Sequence, residues 1–81
     1  MYTIYSKPNC PQCDQAKMLL TSRSIPFNEV ILDVGQTKMP GKQYMMVSDL
    51  KSLLPEAKSV PQIFKGDVHL GGLNDLRRDV G

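Results

Sequence analysis

The chain has 81 residues and a formal net charge of +2, with ten lysines and arginines against eight acidic residues. This length predicts one domain over residues 1–81, and a composition that is 41% hydrophobic and 22% charged excludes a disordered chain. The basic residues are dispersed, which argues against a nucleic-acid-binding surface. No apolar stretch approaches the roughly 20 residues of a membrane span, so no membrane association is expected.

The first predicted elements are a strand and a helix. Tyr2 to Ser6 alternates and is rich in aromatic and β-branched residues, which indicates a strand. Pro11 suits the first position of a helix because its missing N–H would have no partner there, so Cys10 is the predicted N-cap. The helix should end near Arg23 or Ser24. Its predicted buried face consists of Cys13, Ala16, Leu19 and Leu20.

A second strand and a second helix follow. Phe27 to Leu32 predicts a strand, and its last three residues form an apolar run that is typical of a strand covered on both faces. Asp33 to Gly41 contains two glycines and a proline and predicts a loop. From about Lys42, apolar residues at helical spacing predict an amphipathic helix that ends at Pro55. Its predicted buried face consists of Tyr44, Val47, Leu50 and Leu54.

The last third of the chain predicts a hairpin and a short helix. Pro61 to Phe64 and Val68 to Leu70 flank the turn Lys65-Gly66-Asp67, which is typical of a β-hairpin. Leu73 to Val80 then predicts a final helix. The order β-α-β-α-β-β-α predicts an α/β fold in which three helices flank a four-stranded mixed sheet.

The only two cysteines lie three residues apart in the segment KPNCPQC. A structural zinc site usually needs four ligands, and Cys10, Cys13 and the single His69 supply at most three, so no metal site within one chain is expected. A disulfide that closes a loop of four residues would add little stability. A pair that cycles between dithiol and disulfide fits the spacing better.

The position of Cys10 at a helix N-terminus favours redox chemistry. Unpaired N–H groups and the positive end of the helix dipole lower a thiol pKa there and increase the reactive thiolate fraction. Cys13 lies one turn into the helix, faces back toward Cys10 and is better shielded. We therefore predict that Cys10 attacks and Cys13 resolves. A C-x-x-C near a βαβ pattern is also typical of thioredoxin-like redox proteins.

Three segments in this order resemble the glutaredoxin family, of the dithiol CPxC type: YSKPNCPQC, SVPQIF and HLGGLNDL. The resemblance runs nearly end to end and implies a thioredoxin-like fold. It implies a glutathione-dependent thiol–disulfide oxidoreductase that reduces protein disulfides and protein–glutathione mixed disulfides. Glutathione would be a co-substrate with no permanently bound cofactor, and ribonucleotide reductase a candidate electron acceptor. We expect a monomer.

The resemblance also implies where glutathione binds. The residue matching Pro61 follows a cis peptide bond in such proteins, and the residue matching Val60 pairs its backbone with the cysteinyl part of glutathione. Asn74 and Asp75 fall in the first turn of the last helix, where N–H groups can bind the γ-glutamyl carboxylate and Asp75 can accept from the ammonium group. The alternative for both residues is plain helix capping.

Two residues next to the cysteines complete the expected site. A cation at Lys7 would steer the glycyl carboxylate of glutathione and favour the Cys10 thiolate. Gln12 is also expected to contact glutathione, although many glutaredoxins carry tyrosine there. His69 on the hairpin is expected to be structural or solvated.

The electron donor stays open. Gln12 and the preceding SKPNC are similar to NrdH-type redoxins, which are reduced by thioredoxin reductase, whereas Asn74 and Asp75 favour glutathione. A third alternative is a [2Fe–2S] carrier in which Cys10 and glutathione from two chains hold the cluster, but Pro11 stiffens the loop that must open. The N-terminus has no basic leader followed by an apolar run, so a reducing, cytoplasmic location is expected.

Overall fold

The computed structural model describes all 81 residues and contains five strands and three helices. The strands are β1 Tyr2–Ser6, β2 Phe27–Asp33, β3 Gln43–Met46, β4 Gln62–Lys65 and β5 Val68–Gly71. The helices are α1 Pro11–Ser22, α2 Val47–Leu53 and α3 Leu73–Val80.

All five strands form one mixed sheet in the order β3-β2-β1-β4-β5. Strand β1 lies at its centre, parallel to β2 and antiparallel to β4, while β3 adds to β2 in parallel and β5 pairs with β4 as a hairpin. The predicted α/β fold with a mixed sheet and three helices is therefore confirmed.

The predicted number of four strands is wrong because the segment at the start of the predicted second helix is extended. Residues Gln43–Met46 form β3 on the edge of β2, and α2 begins only at Val47. Apolar residues in this segment fit helical spacing, but pairing satisfies the backbone N–H and C=O groups of β2 that would otherwise remain at its edge. Tyr44, predicted on the buried helical face, is half-buried on this strand, and Leu50 is the buried residue of α2.

The hydrophobic core lies between the centre of the sheet and the helices α1 and α3. Ile4 and Ile63 face each other across β1 and β4, and both are fully buried. Helix α1 buries Cys13, Ala16 and Leu20 every third or fourth residue, as its sequence pattern predicts. The core cluster consists of Tyr2, Ile4, Ala16, Leu20, Ile63, Leu73 and Leu76. This packing fixes α1, and with it the two cysteines, against β1.

No helix of the structure combines the length and the apolar character that crossing a bilayer would require.

Candidate active site

The two cysteines lie at the N-terminus of α1, directly after the central strand β1. Cys10 is the N-cap and Pro11 is the first helical residue, as predicted. The Asp14 N–H donates to the Cys10 carbonyl at 3.1 Å, which closes the first helical turn. Asn9, just before the cap, has a φ of 57°, a left-handed conformation that asparagine tolerates better than most residues. This turn directs the chain from the strand into the helix.

Cys10 and Cys13 form a disulfide in which the two sulfurs have different surroundings. The Cys13 N–H donates to Cys10 Sγ at 3.2 Å. After reduction the same N–H, together with the dipole of α1, would stabilise a thiolate on Cys10. Cys13 is fully buried, whereas Cys10 keeps 7% of its surface exposed. Cys10 is therefore the more accessible of the two to a disulfide-bearing substrate.

The loop that precedes β4 lies against the cysteines. Because β1 and β4 are antiparallel with Tyr5 opposite Gln62, the residues before Gln62 come to lie beside the end of β1. The peptide bond between Val60 and Pro61 is cis. The Val60 carbonyl oxygen lies 3.8 Å from Cys10 Sγ, which brings this backbone next to the more exposed of the two sulfurs.

A groove of about 540 Å³ adjoins the same loop, within the size range of small-molecule sites. Val60 forms part of its largely apolar lining. Three lysines, Lys7, Lys51 and Lys58, also line it, and no acidic residue does. None of the three takes part in an ion pair. Lys51 and Lys58 were not predicted, because the sequence does not distinguish a lysine that lines a groove from a lysine on the open surface.

The N-terminus of α3 also lies next to the loop that contains Val60 and Pro61. A Cβ atom on Gly72 would meet the Pro61 carbonyl oxygen at 3.7 Å, which places the helix N-terminus beside the cis-proline segment. Leu76 N–H makes the first helical hydrogen bond, to the Gly72 carbonyl, so the N–H groups of Asn74 and Asp75 have no acceptor within the helix. They remain available to an anion.

Asp75 itself caps α3. Its Oδ2 accepts from the Gly72 N–H at 3.0 Å, and its Oδ1 lies 3.4 Å from Arg78 Nη2. A Cβ on Gly71, whose φ is +121°, would collide with this carboxylate, so the cap requires glycine there. The geometry agrees with the capping alternative raised from the sequence, and leaves the remaining lone pairs of Asp75 for a ligand.

Gln12 occupies the second position of α1, where its side chain is exposed and makes no hydrogen bond within the protein. The structure thus brings Lys7, Cys10, Val60 and Pro61 together and places α3 beside them. It leaves Gln12 on the solvent side of the helix N-terminus.

A partly buried ionic cluster joins Ser6, Lys17 and Glu29 and was not predicted. Glu29 on β2 accepts from Ser6 Oγ and from Lys17 Nζ, both at 2.8 Å. Burial by itself raises the pKa of Glu29, but the hydrogen bonds from Lys17 and Ser6 outweigh it and hold that pKa below its usual range. Burial likewise lowers the pKa of Lys17, and the hydrogen bond and charge of Glu29 outweigh it, so this pKa is raised. The cluster joins β1, β2 and α1, and its Lys17 lies one helical turn after Cys13.

Comparison with known proteins gives one consistent family. A family model described as Glutaredoxin matches residues 2–70. The chain is 36% identical to glutaredoxin 3 of Escherichia coli K12 over 73 residues, which cover 90% of this chain and 77% of that protein. It is also 36% identical over 76 residues to the hybrid peroxiredoxin hyPrx5 of Haemophilus influenzae; these cover 94% of this chain but only 27% of that longer protein.

The fold agrees with a solved structure of the same family. Glutaredoxin 1 from Francisella tularensis, crystallised with cacodylate, matches with a TM-score of 0.73 and 27% sequence identity, over 98% of this chain and 90% of that chain. The likeness extends over the whole sheet and all three helices.

Proposed function

Because the chain belongs to the glutaredoxin family and is a thiol–disulfide oxidoreductase, we propose that glutathione is its co-substrate and electron donor. The observation that carries this proposal is the position of Cys10 Sγ, 3.8 Å from the Val60 carbonyl and next to a groove with three unpaired lysines. Glutathione is a thiol peptide with two carboxylates, so a cationic groove beside a reactive sulfur suits it.

The reaction with a protein–glutathione mixed disulfide begins at Cys10. Its thiolate attacks the glutathione sulfur, a new S–S bond forms, and the bond to the protein breaks, so the protein leaves as a thiolate that takes a proton from water. A second glutathione thiolate then attacks the glutathionyl sulfur bound to Cys10. Oxidised glutathione leaves, and Cys10 returns to the thiolate that the Cys13 N–H and the dipole of α1 stabilise.

A protein disulfide requires both cysteines. Cys10 forms a mixed disulfide with one sulfur of the target, and Cys13 then attacks Cys10 and displaces the target as a dithiol. Two molecules of glutathione reduce the resulting Cys10–Cys13 disulfide and leave as oxidised glutathione. Glutaredoxin couples lie at about −200 to −230 mV, close to the potential of the glutathione pool, so the exchange runs in either direction.

Glutathione fits the site if its two carboxylates bind at opposite ends. We assign the cysteinyl backbone to Val60 beside the cis bond to Pro61, in the manner of a short added strand. The glycyl carboxylate then faces Lys7 and the groove. The γ-glutamyl carboxylate reaches the free N–H groups of Asn74 and Asp75 at the start of α3.

The partners in this proposal are disulfide-bearing and glutathionylated proteins in a reducing cytoplasm, with ribonucleotide reductase as one candidate acceptor and the chain acting as a monomer. A second candidate donor is thioredoxin reductase. It is favoured by Gln12, which is exposed beside the cysteines, where many glutaredoxins have tyrosine.

The test is to compare the rate of reduction of the Cys10–Cys13 disulfide by two donor systems. One contains glutathione, glutathione reductase and NADPH, and the other contains thioredoxin reductase and NADPH. We expect saturable turnover with glutathione and much slower turnover with thioredoxin reductase. The reverse order of rates would overturn the proposal and assign the chain an NrdH-type role.

A further inference from the structure

The side chain of Gln62, the first residue of β4, lies buried behind the loop that contains Val60. Only 8% of Gln62 is exposed. Its Nε2 donates to the Ser59 carbonyl at 2.7 Å, and its Oε1 lies 2.8 Å from His69 Nε2 on the neighbouring strand β5. One amide thus connects the outer strand of the hairpin to the loop at the active site.

The hydrogen-bonding rules fix the direction of this connection. The Ser59 carbonyl can only accept, so the amide nitrogen of Gln62 must face it, and the amide oxygen must face His69. Because that oxygen can only accept, His69 must carry its proton on Nε2. The donors therefore run from His69 to Gln62 and from Gln62 to Ser59, and turning the amide over would oppose two acceptors.

His69 is held in place from its other side. Its ring stacks on Phe64 with centroids 4.9 Å apart, and Phe64 in turn contacts the ring of Tyr5 on β1 edge-on at 5.8 Å. His69 and Phe64 are also paired across the two strands of the hairpin. The imidazole that orients Gln62 is exposed on the edge strand β5 and rests against the ring of Phe64 on β4.

The loop has little other support at this point. Ser59 lies in an irregular segment, and its carbonyl has no backbone donor. Gln62, by contrast, is fixed by strand pairing with Tyr5. The Gln62 side chain reaches back from this fixed strand to Ser59 and so restrains both ends of the two-residue segment Val60–Pro61.

We propose that Gln62 and His69 are positioning residues that hold the Val60 backbone in the orientation to which glutathione binds. This inference rests on the proposed function, because it concerns the docking of glutathione. Neither side chain need touch the ligand. They act by restraining Ser59, and so set the direction of the Val60 N–H and C=O groups that pair with the cysteinyl part of glutathione.

The first test replaces Gln62 by leucine, which keeps the side-chain size and removes both hydrogen bonds. We expect the KM for glutathione to rise roughly fivefold to tenfold, the effect of losing about one hydrogen bond, with little change in kcat. Reduction of the Cys10–Cys13 disulfide by dithiothreitol, which needs no strand-like docking, should keep its wild-type rate. An equal loss with both reductants would indicate general damage and overturn the inference.

His69 provides a matched pair of variants. His69→Phe keeps an aromatic ring against Phe64 but removes the donor, so the KM for glutathione should rise. His69→Gln supplies an amide N–H at the same place and should restore most of the affinity. Ser22→Ala, which removes a 2.9 Å hydrogen bond to the Leu19 carbonyl far along α1, serves as the control and should leave KM unchanged.

The outcomes separate the two proposals. If the wild-type protein turns over with glutathione while Gln62→Leu and His69→Phe keep its KM, the positioning role is wrong and the proposed function stands. If the wild-type protein is not reduced by glutathione at all, the proposed function fails, and the positioning role falls with it.

Discussion

The charged side chains near the two ends of strand β1 differ in whether they have an ionic partner. At its start, the Tyr2 hydroxyl donates to the Asp79 carboxylate, and Lys65 Nζ lies 3.5 Å from the same carboxylate and 5.7 Å from the centre of the Tyr2 ring. At its other end, Lys7 leads into the cysteines with no ionic partner. Cys10 follows three residues later, its sulfur facing the Cys13 N–H.

The difference distinguishes charged groups that stabilise the fold from charged groups that remain free to bind a ligand. Charges that partner one another within the protein hold the C-terminal helix to the sheet. Charges that lack a partner, at the groove formed by Lys7, Lys51 and Lys58, keep their attraction for an anionic ligand. The cluster of Ser6, Lys17 and Glu29 belongs to the first kind, although its Lys17 lies only one helical turn after Cys13.

The largest effect is expected at the reactive end itself. Cys10→Ser should abolish both deglutathionylation and protein-disulfide reduction, a loss of at least roughly a thousandfold, because no thiolate then lies at the N-cap of α1. Cys13→Ser should keep deglutathionylation and lose only the reduction of protein disulfides. Steady-state rates with a glutathionylated peptide and with a protein disulfide measure the two activities. Turnover by Cys10→Ser would refute the assignment of the nucleophile.

The paired cluster of Ser6, Lys17 and Glu29 should govern stability more than activity. Glu29→Gln leaves Lys17 without its counter-charge in a partly buried place and should lower the free energy of unfolding by about 1.5–3 kcal/mol at pH 7, measured by urea denaturation. Because folding lowers the pKa of Glu29, its contribution is complete above the unfolded value, near 4.3, and is lost as the pH falls through the folded pKa. The two proteins should therefore converge in stability in acid. A constant difference down to pH 2 would contradict this reading.

The unpaired lysines should govern affinity and leave stability unchanged. Lys51→Gln and Lys58→Gln should each raise the KM for glutathione by roughly twofold to fivefold at low ionic strength, and the difference should shrink as salt is added. Lys38→Gln is the matched control, because Lys38 is already paired with Asp33 at 2.9 Å outside the groove. An equal rise in KM for the control would show a general effect of net charge.

The smallest effect is expected at the start of β1. Tyr2→Phe removes the hydroxyl that, by its hydrogen bond, holds the pKa of Asp79 below its usual range. The variant should lose a few degrees of Tm and keep full activity. The lowered pKa means that the contribution of Asp79 is present above its unfolded value of about 3.9 and is lost as the pH falls through the folded value. Thermal scans should show the full difference in Tm at pH 7 and a difference that shrinks as the pH falls below about 3.9; a difference that does not change with pH would contradict this role of Asp79.

Local sequence signals predicted the elements whose conformation is determined by residues close to them in the chain. Pro11 after Cys10 identified the N-cap, and alternation identified β1. Strand β3 was missed because four residues carry both helical and extended patterns, and the choice depends on pairing with β2, which lies beyond a long loop. The mixed character of the sheet was predicted from the general rules for α/β connections, but the order of its strands was not predicted.

The residues of the candidate site, like the elements of the fold, were predicted only in part from the sequence. The cysteine pair is evident from its spacing, whereas Val60, Asn74 and Asp75 are predicted as glutathione contacts only through the family resemblance. Lys51 and Lys58 were not, because an unpaired lysine in a groove has the same sequence signature as one in solvent. His69 was expected to be structural or solvated, and its bond to Gln62 depends on the register of the hairpin, which the sequence does not specify.

The most direct test of the central claim is the mass of the two single-cysteine variants after incubation with oxidised glutathione. If Cys10 is the reactive thiol at the N-cap of α1, Cys13→Ser should gain one glutathionyl group rapidly near neutral pH. Cys10→Ser, whose remaining thiol is fully buried, should stay unmodified over the same time. Equal or faster modification of Cys10→Ser would contradict the assignment of the nucleophile and the glutathione site built around it.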